Sequence, residues 1–326
     1  MLNAPLKAVL RTQMPSSRGL LLALISLIVS TGPARAWGCA GHHIVAMIAK
    51  QHLTARALAK VTLLLESQPI DAGLARYCKD GSADSFVSSA TWADDVKRAE
   101  GTGTWHYIDI PLGLTRGDLT PYCESVGPLP DGNRSGCILS AIRDQLDVLQ
   151  SGTSVERARA LRYLIHLVGD LHQPLHASDN GDRGGNCVPL HFGPTSIATN
   201  LHALWDSGIL EGFLSENHLT EEDFARQLDN RHRGKFQEWS SKNLDVESWA
   251  WEAHRIAAQV TYRELRPRVP IEPPHATEDC SAESAKVRAL NIVIGKDYEK
   301  AAMKSIDPLL TQAGYRLAAM LNKVWR

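Results

Sequence analysis

LRYLIHLVGDLHQPLH, residues 161–176, reads as the closing turns of a buried helix that carries two ligand-type side chains. His166 and Asp170 stand four residues apart, so both side chains lie on one helical face. Pro174 has no N–H to continue the ladder and ends the helix, which delivers His176 from the turn beyond it. Upstream, Ser154 to Glu156 supplies an entry signal. The segment NLHALWDSG repeats the spacing with His202 and Asp206. A single His-x-x-x-Asp pair is ordinarily a surface ion pair or a cap contact. Two such pairs in apolar surroundings, one with a further histidine, point instead to bound metal, because a cation satisfies a buried imidazole and carboxylate that would otherwise be costly.

The same helical period extends outward from this stretch. GHHIVAMIAKQHL places Ile44, Val45, Ile48 and Ala49 on one face, TARALAKVTLLLESQ follows a Thr54 cap, and CILSAIRDQLDVLQSG stops at a glycine. Residues 247–263, 282–300 and 308–324 continue the pattern. Strand signals are few: GTWHYIDIPL is the best and 188–192 a weaker one. Glycines and prolines gather in two long connections, 123–136 and 178–195. The expected fold is therefore mainly α, a single globular helical domain with long functional loops and at most a short β hairpin.

Residues 1–36 have the layout of a secretory signal: early basic residues, the apolar run GLLLALISLIVS, then a small-x-small ARA. The run is shorter than the roughly 20 apolar residues that span a bilayer, so cleavage after Ala36 is expected rather than a membrane anchor. Residues 37–326 then form the working domain, secreted or periplasmic. The leader takes four of the 35 basic residues and none of the 36 acidic ones, which leaves the remainder acidic by five. No broad cationic surface is available for a polyanion, and bound metal is one way to concentrate positive charge locally. All six cysteines (Cys39, Cys78, Cys123, Cys137, Cys187 and Cys280) lie beyond the leader. In an exported chain an even set reads as disulfides, and Cys123 with Cys137, bracketing a Pro/Gly-rich loop, is the first candidate pair.

Asp94 in WADD and His106 in WHYID carry little weight singly, the first resembling a helix cap and the second a core histidine. In order along the chain, however, WGCAGH, WADD, WHYID, HLVGDLHQPLH, DRGGN and NLHALWD, with AGYRLAAMLN near the end, resemble the secreted single-strand-specific zinc nucleases of fungi, plants and bacteria. That family belongs with the zinc-dependent phospholipases C. The resemblance implies three zinc ions per chain. It places Trp37, through its free amine and carbonyl oxygen, with His42 and Asp170 on the first, and Asp94, His106, His166 and again Asp170 on a close neighbour. His176, His202 and Asp206 hold the third. It implies hydrolysis of single-stranded DNA and RNA by a metal-bridged hydroxide to 5′-phosphorylated products, with 3′-nucleotidase activity, in a monomer that also takes nucleotides. Asp170 is then catalytic as well as a ligand. The family commonly places an arginine three residues after the WAD aspartate; here Lys97 occupies that position and Arg98 follows, so the phosphate contact falls to one of these two. Tyr107 matches an aromatic that stacks on a base and Asp109 a carboxylate that accepts from base amino groups, against an alternative of core packing for Tyr107. His172, Asp182 and Asn186 are expected in an outer layer around the ligands. Three alternatives stand beside this: a zinc-dependent phospholipase C, an exported zinc-binding protein without catalysis, and a purely structural helical protein. Asp206, where the phospholipase branch usually has Glu, favours the nuclease.

Overall fold

The computed structural model describes residues 37–78, 83–192, 200–241, 245–265, 280 and 291–326. The leader expected at 1–36 lies outside the described residues, as do residues 282–290 of the helix expected at 282–300; of its remainder, 291–295 are not helical and the helix begins at Lys296.

Where apolar periodicity coincides with an end signal, the chain is helical. α1 (Cys39–Gln51) and α2 (Ala55–Ser67) follow the sequence closely, and the Thr54 hydroxyl accepts from Ala57 N at 3.2 Å. α3 (Ser85–Ser89) and α4 (Trp92–Glu100) are too short to show a period; the Asp84 side chain caps the first by accepting from Phe86 N and Val87 N. α5 (Ile138–Ser151) starts at Cys137. α6 (Ser154–Asp170) opens with a reciprocal cap between Thr153 and Glu156, one residue before the entry read from the sequence, and a short 3-10 turn (Pro174–His176) follows it. Next come α7 (Leu201–Ala203), a wide π turn (Leu204–Gly208), α8 (Ile209–Glu216), α9 (Glu221–His232), α10 (Phe236–Ser241), α11 (Val246–Ile256) and α12 (Lys296–Val324). α12 runs through Pro308, where a break is expected from sequence. Burial of Ile306, Leu309 and Leu310 and the pairing of Asp307 with Arg231 and His232 hold the chain helical across the missing N–H.

Two apolar clusters form the core, and α1 serves both. Ala46 and Ala49 join a cluster with α4, α5 and α6, while Ile44, Val45 and Ile48 join one with α8, α9 and α12. His42 is thereby fixed at a helix buried on both sides.

Strands are minimal among the described residues. β1 (Gly127–Pro128) pairs antiparallel with β2 (Arg134–Ser135), and β3 (His191–Phe192) pairs parallel with β4 (Val293–Ile294). The strand expected over 103–112 is corrected: Gly103–His106 is a 3-10 turn. The residues beyond it are extended but make only point contacts, Ile108 N donating to His176 O at 2.9 Å and Leu112 N to Asp179 O at 2.8 Å. Pro111 lacks the N–H that a continuous ladder would need. Disulfides join Cys39 to Cys78, Cys123 to Cys137 and Cys187 to Cys280. Among the described residues no helix is long and apolar enough to cross a membrane.

Candidate metal centre

Histidines and aspartates from six segments converge in three groups able to hold a metal ion: His42 with Asp94 and His166, His106 with His166 and Asp170, and His176 with His202 and Asp206. The first two share His166 and form one cluster. α1 brings His42, α4 brings Asp94, the 3-10 turn brings His106, and α6 brings His166 and Asp170. Asp94 sits in the first turn of α4 rather than capping it. Asp170 uses both oxygens: Oδ1 lies 3.2 Å from His42 Nε2, while Oδ2 lies 2.9 Å from His106 Nδ1 and 3.1 Å from His166 Nε2. Asp94 Oδ1 stands 3.8 Å from His106 Nδ1 and 3.9 Å from His166 Nε2.

The third group does not sit on a regular helix. His202 belongs to α7 and Asp206 to the π turn, which widens the helix yet keeps His202 Nε2 3.3 Å from Asp206 Oδ2. Single π turns of this kind are frequent at functional sites. His176 Nε2 completes the group, 3.1 Å from His202 Nε2 and 3.8 Å from Asp206 Oδ1.

Outer hydrogen bonds fix which nitrogen faces inward. His166 Nδ1 donates to Ala90 O at 2.6 Å, His176 Nδ1 to His106 O at 2.7 Å and His202 Nδ1 to Gly184 O at 2.7 Å. Each Nε2 then faces its group, and at His176 and His202, where burial favours the neutral ring, it carries a lone pair. Two lone pairs held 3.1 Å apart, as in His176 and His202, repel one another, and a shared cation removes the repulsion. His42 Nε2 and Asp170 Oδ1 are buried without a hydrogen-bond partner, and His106 Nε2 is likewise unsatisfied. With metal–ligand bonds of roughly 2.0–2.2 Å in a tetrahedron, donor atoms fall about 3.3–3.6 Å apart. The spacings above bracket that value, and an all-nitrogen-and-oxygen donor set suits zinc.

Charge is balanced within the cluster. Burial works to raise the Asp170 carboxyl, but His166, His106 and His42 outweigh it and hold it well below the usual range. Asp94 is lowered in the same way by His166 and Lys97 against burial. The neighbouring carboxylates, chiefly Asp170, overcome burial and carry His166 up to about 9. Burial, then His166, pushes His42 down to about 4, and burial with His176 pushes His202 down to about 3, so both imidazoles are neutral and ready to ligate. Asp206 is raised well above the ordinary range by burial, Asp170 and Asp94, with a bond from Gln173 opposing.

Trp37 is fully buried at the edge of this centre. Gly38 N donates to Asp206 O at 2.7 Å, tying the segment to the π turn, and a side chain on Gly38 would run into the Ser207 hydroxyl. Lys97 Nζ donates to Asp94 Oδ1 at 2.8 Å, whereas Arg98 is exposed. Tyr107 is 37 % exposed and so is not a core residue. Asp109 is exposed at its surface, yet the protein packed around its carboxyl, with Asp179 beside it, pushes it up to about 7. Asp182 accepts from Gly185 N at 2.8 Å and from the Tyr262 hydroxyl, stiffening the loop whose Gly184 carbonyl orients His202. Asn186 Nδ2 donates within the same loop to Arg183 O. His172 turns to the other side of α6: Nδ1 donates to Val168 O and Nε2 accepts from Arg316. Gln173, which no sequence signal singles out, donates to Asp206 Oδ1 at 2.6 Å and accepts from Leu175 N.

A helical domain in which buried His/Asp groups able to hold metal ions gather beside the Trp37 segment defines the class. The S1/P1 Nuclease family model matches residues 37–326, and the chain belongs to that family. It is accordingly a nuclease, a phosphodiester hydrolase acting on nucleic acid. Similar proteins include Endonuclease 4 of Arabidopsis thaliana, 25% identical over 307 residues and covering 90% of both chains. Nuclease S1 of Aspergillus oryzae is 27% identical over 306 residues, 88% of this chain and 91% of the other. Nuclease P1 of Penicillium citrinum is 27% identical over 307 residues, 88% and 97%.

Proposed function

We propose that the chain is exported, cut after Ala36, and acts as a monomeric zinc-dependent endonuclease on single-stranded DNA and RNA, leaving 5′-phosphorylated products and also hydrolysing 3′-nucleotides. The observation that carries this is the set of inward-facing nitrogens at His166, His176 and His202, each turned by an outer carbonyl, with the neutral rings of His176 and His202 facing each other 3.1 Å apart. Asp170, His42 and the Trp37 amine and carbonyl would hold one ion. Asp94, His106, His166 and Asp170 would hold the second, and His176, His202 and Asp206 the third. Zinc supplies acidified water and Lewis-acid charge for an in-line displacement at phosphorus. The family match begins at Trp37, which supports cleavage at that bond.

The chain's own groups provide the rest. Lys97, held beside the cluster by Asp94, is the better placed of the two cations to meet the reacting phosphate. Lys97→Ala should lower kcat on single-stranded DNA roughly 10²-fold with metal content unchanged; equal turnover would remove Lys97 from the reaction. Tyr107 offers an exposed ring next to His106, and only an unpaired base can lie on it, which supports the single-strand preference.

Asp109 accepts from a base amino group more strongly when ionised, because the bond is then charge-assisted. Its carboxyl is raised to about 7 by loss of solvation and by Asp179 and Asp182, with Arg183 opposing, so the stronger acceptor forms as pH rises through 7. KM for an oligonucleotide should therefore fall between pH 6 and 8, and the trend should flatten in Asp109→Asn. A wild-type KM that is level over this range would exclude the contact.

The decisive experiment combines N-terminal sequencing and metal counting on exported protein with parallel assays on single-stranded DNA, RNA, duplex DNA and phosphatidylcholine, before and after chelation. Three zinc ions, a Trp37 start and chelator-sensitive single-strand cleavage are expected. Lipid cleavage alone would turn the assignment to a phospholipase C, and a zinc-replete protein that hydrolyses nothing would turn it to metal storage.

A further inference from the structure

Gln173 is fully buried and lies in the chain three residues after Asp170 and three before His176. Its backbone is held on both sides: N donates to Asp170 O at 2.9 Å, and O accepts from His176 N at 3.0 Å. The side-chain amide then has a single orientation. Leu175 N requires an acceptor, which Oε1 supplies at 2.6 Å, so Nε2 is the atom that faces Asp206 Oδ1 and donates to it at 2.6 Å.

This bond divides the two oxygens of Asp206. Oδ1 is taken by the amide and stands 3.8 Å from His176 Nε2, while Oδ2 stands 3.3 Å from His202 Nε2. The residue is also held through its backbone, Asp206 O accepting from Gly38 N at 2.7 Å. What the group offers an ion is therefore three donor atoms: His176 Nε2, His202 Nε2 and Asp206 Oδ2. Three protein donors are the number with which zinc keeps a fourth position open, whereas a carboxylate that chelates through both oxygens suits ions of higher coordination number. With nitrogen and oxygen donors of this kind, the number and geometry of ligands decide which metal is held.

Given an ion at His176, His202 and Asp206, on which this rests, we propose that Gln173 sets the metal preference of that group by holding Asp206 to a single ligating oxygen. Gln173 is a positioning residue: it acts through Asp206 and touches neither metal nor substrate.

The test equilibrates processed enzyme, first stripped of metal, with mixtures of Zn²⁺ and Mn²⁺ and counts both metals bound. In Gln173→Glu an acceptor for Leu175 N survives, so the turn that delivers His176 is kept, while the donor to Asp206 is replaced by a further oxygen. The preference of one equivalent for zinc over manganese should fall roughly 10- to 100-fold, the scale of a lost outer partner, with the other two equivalents competing as in wild type. Gln173→Met, which keeps the bulk of the side chain and frees Oδ1, should shift the same equivalent in the same direction. Equal weakening of both metals would overturn the proposal by giving Gln173 a purely structural role, and so would an unchanged preference in Gln173→Glu. Wild-type enzyme that binds two equivalents or fewer refutes the three-metal reading itself, an outcome distinct from a full wild-type complement with indifferent variants.

Discussion

Asp170→Asn is expected to strip the enzyme of two of the three metal equivalents proposed and to lower kcat on single-stranded DNA by about 10³-fold or more, since changes one layer out from a ligand already cost roughly 10–100-fold. No other side chain in the centre serves so many partners. Its two oxygens reach His42 on one side and His106 and His166 on the other. Asparagine keeps the shape but loses the charge and one acceptor, so the amide nitrogen must face an imidazole lone pair. His166, whose imidazolium is favoured chiefly by the Asp170 charge, returns toward neutrality. The group of His176, His202 and Asp206 should keep its ion. Elemental analysis and single-strand kinetics check the two halves separately, and circular dichroism confirms the helices. Full metal content with activity within tenfold of wild type would refute the role assigned to Asp170.

The second large effect concerns the chain start. Enzyme that retains Ala36 ahead of Trp37 should bind one metal fewer and lose activity on a similar scale. A terminal amine, with a reference pKa of about 7.7–8.0, yields its proton to a cation near neutrality, and a peptide amide does not. Trp37 is fully buried and Gly38 N is bonded to Asp206 O, so the segment is held against the centre. Paired preparations beginning at Ala36 and at Trp37, compared by metal count and turnover, decide the matter. Equal performance would remove the amine from the centre.

Helices with both a period and an end signal were legible in the sequence. α1, α2, α5 and α6 have their expected places, Thr54 caps α2, and Cys123 pairs with Cys137 across its loop. The four-residue spacings of His166 with Asp170 and of His202 with Asp206 also carried through, because residues a turn apart share a face whatever surrounds them. Short helices such as α3 and α4 have too few positions to display a period. The extended 107–112 segment has strand composition, but Pro111 leaves it no ladder.

The residues encode local features on their own: which stretches coil, where they stop, and which side chains leave the same face. The tertiary structure alone decided that Asp170 is shared among three histidines, that Ala90, His106 and Gly184 carbonyls turn the imidazoles inward, and that Gln173 braces Asp206. It also placed Lys97 rather than Arg98 beside the cluster and left Tyr107 open to solvent. Periodicity and caps are set by neighbours within about four residues. His106 and Asp170, by contrast, are 64 residues apart, and only the packing of α1, α4 and α6 around one core brings such groups within bonding distance.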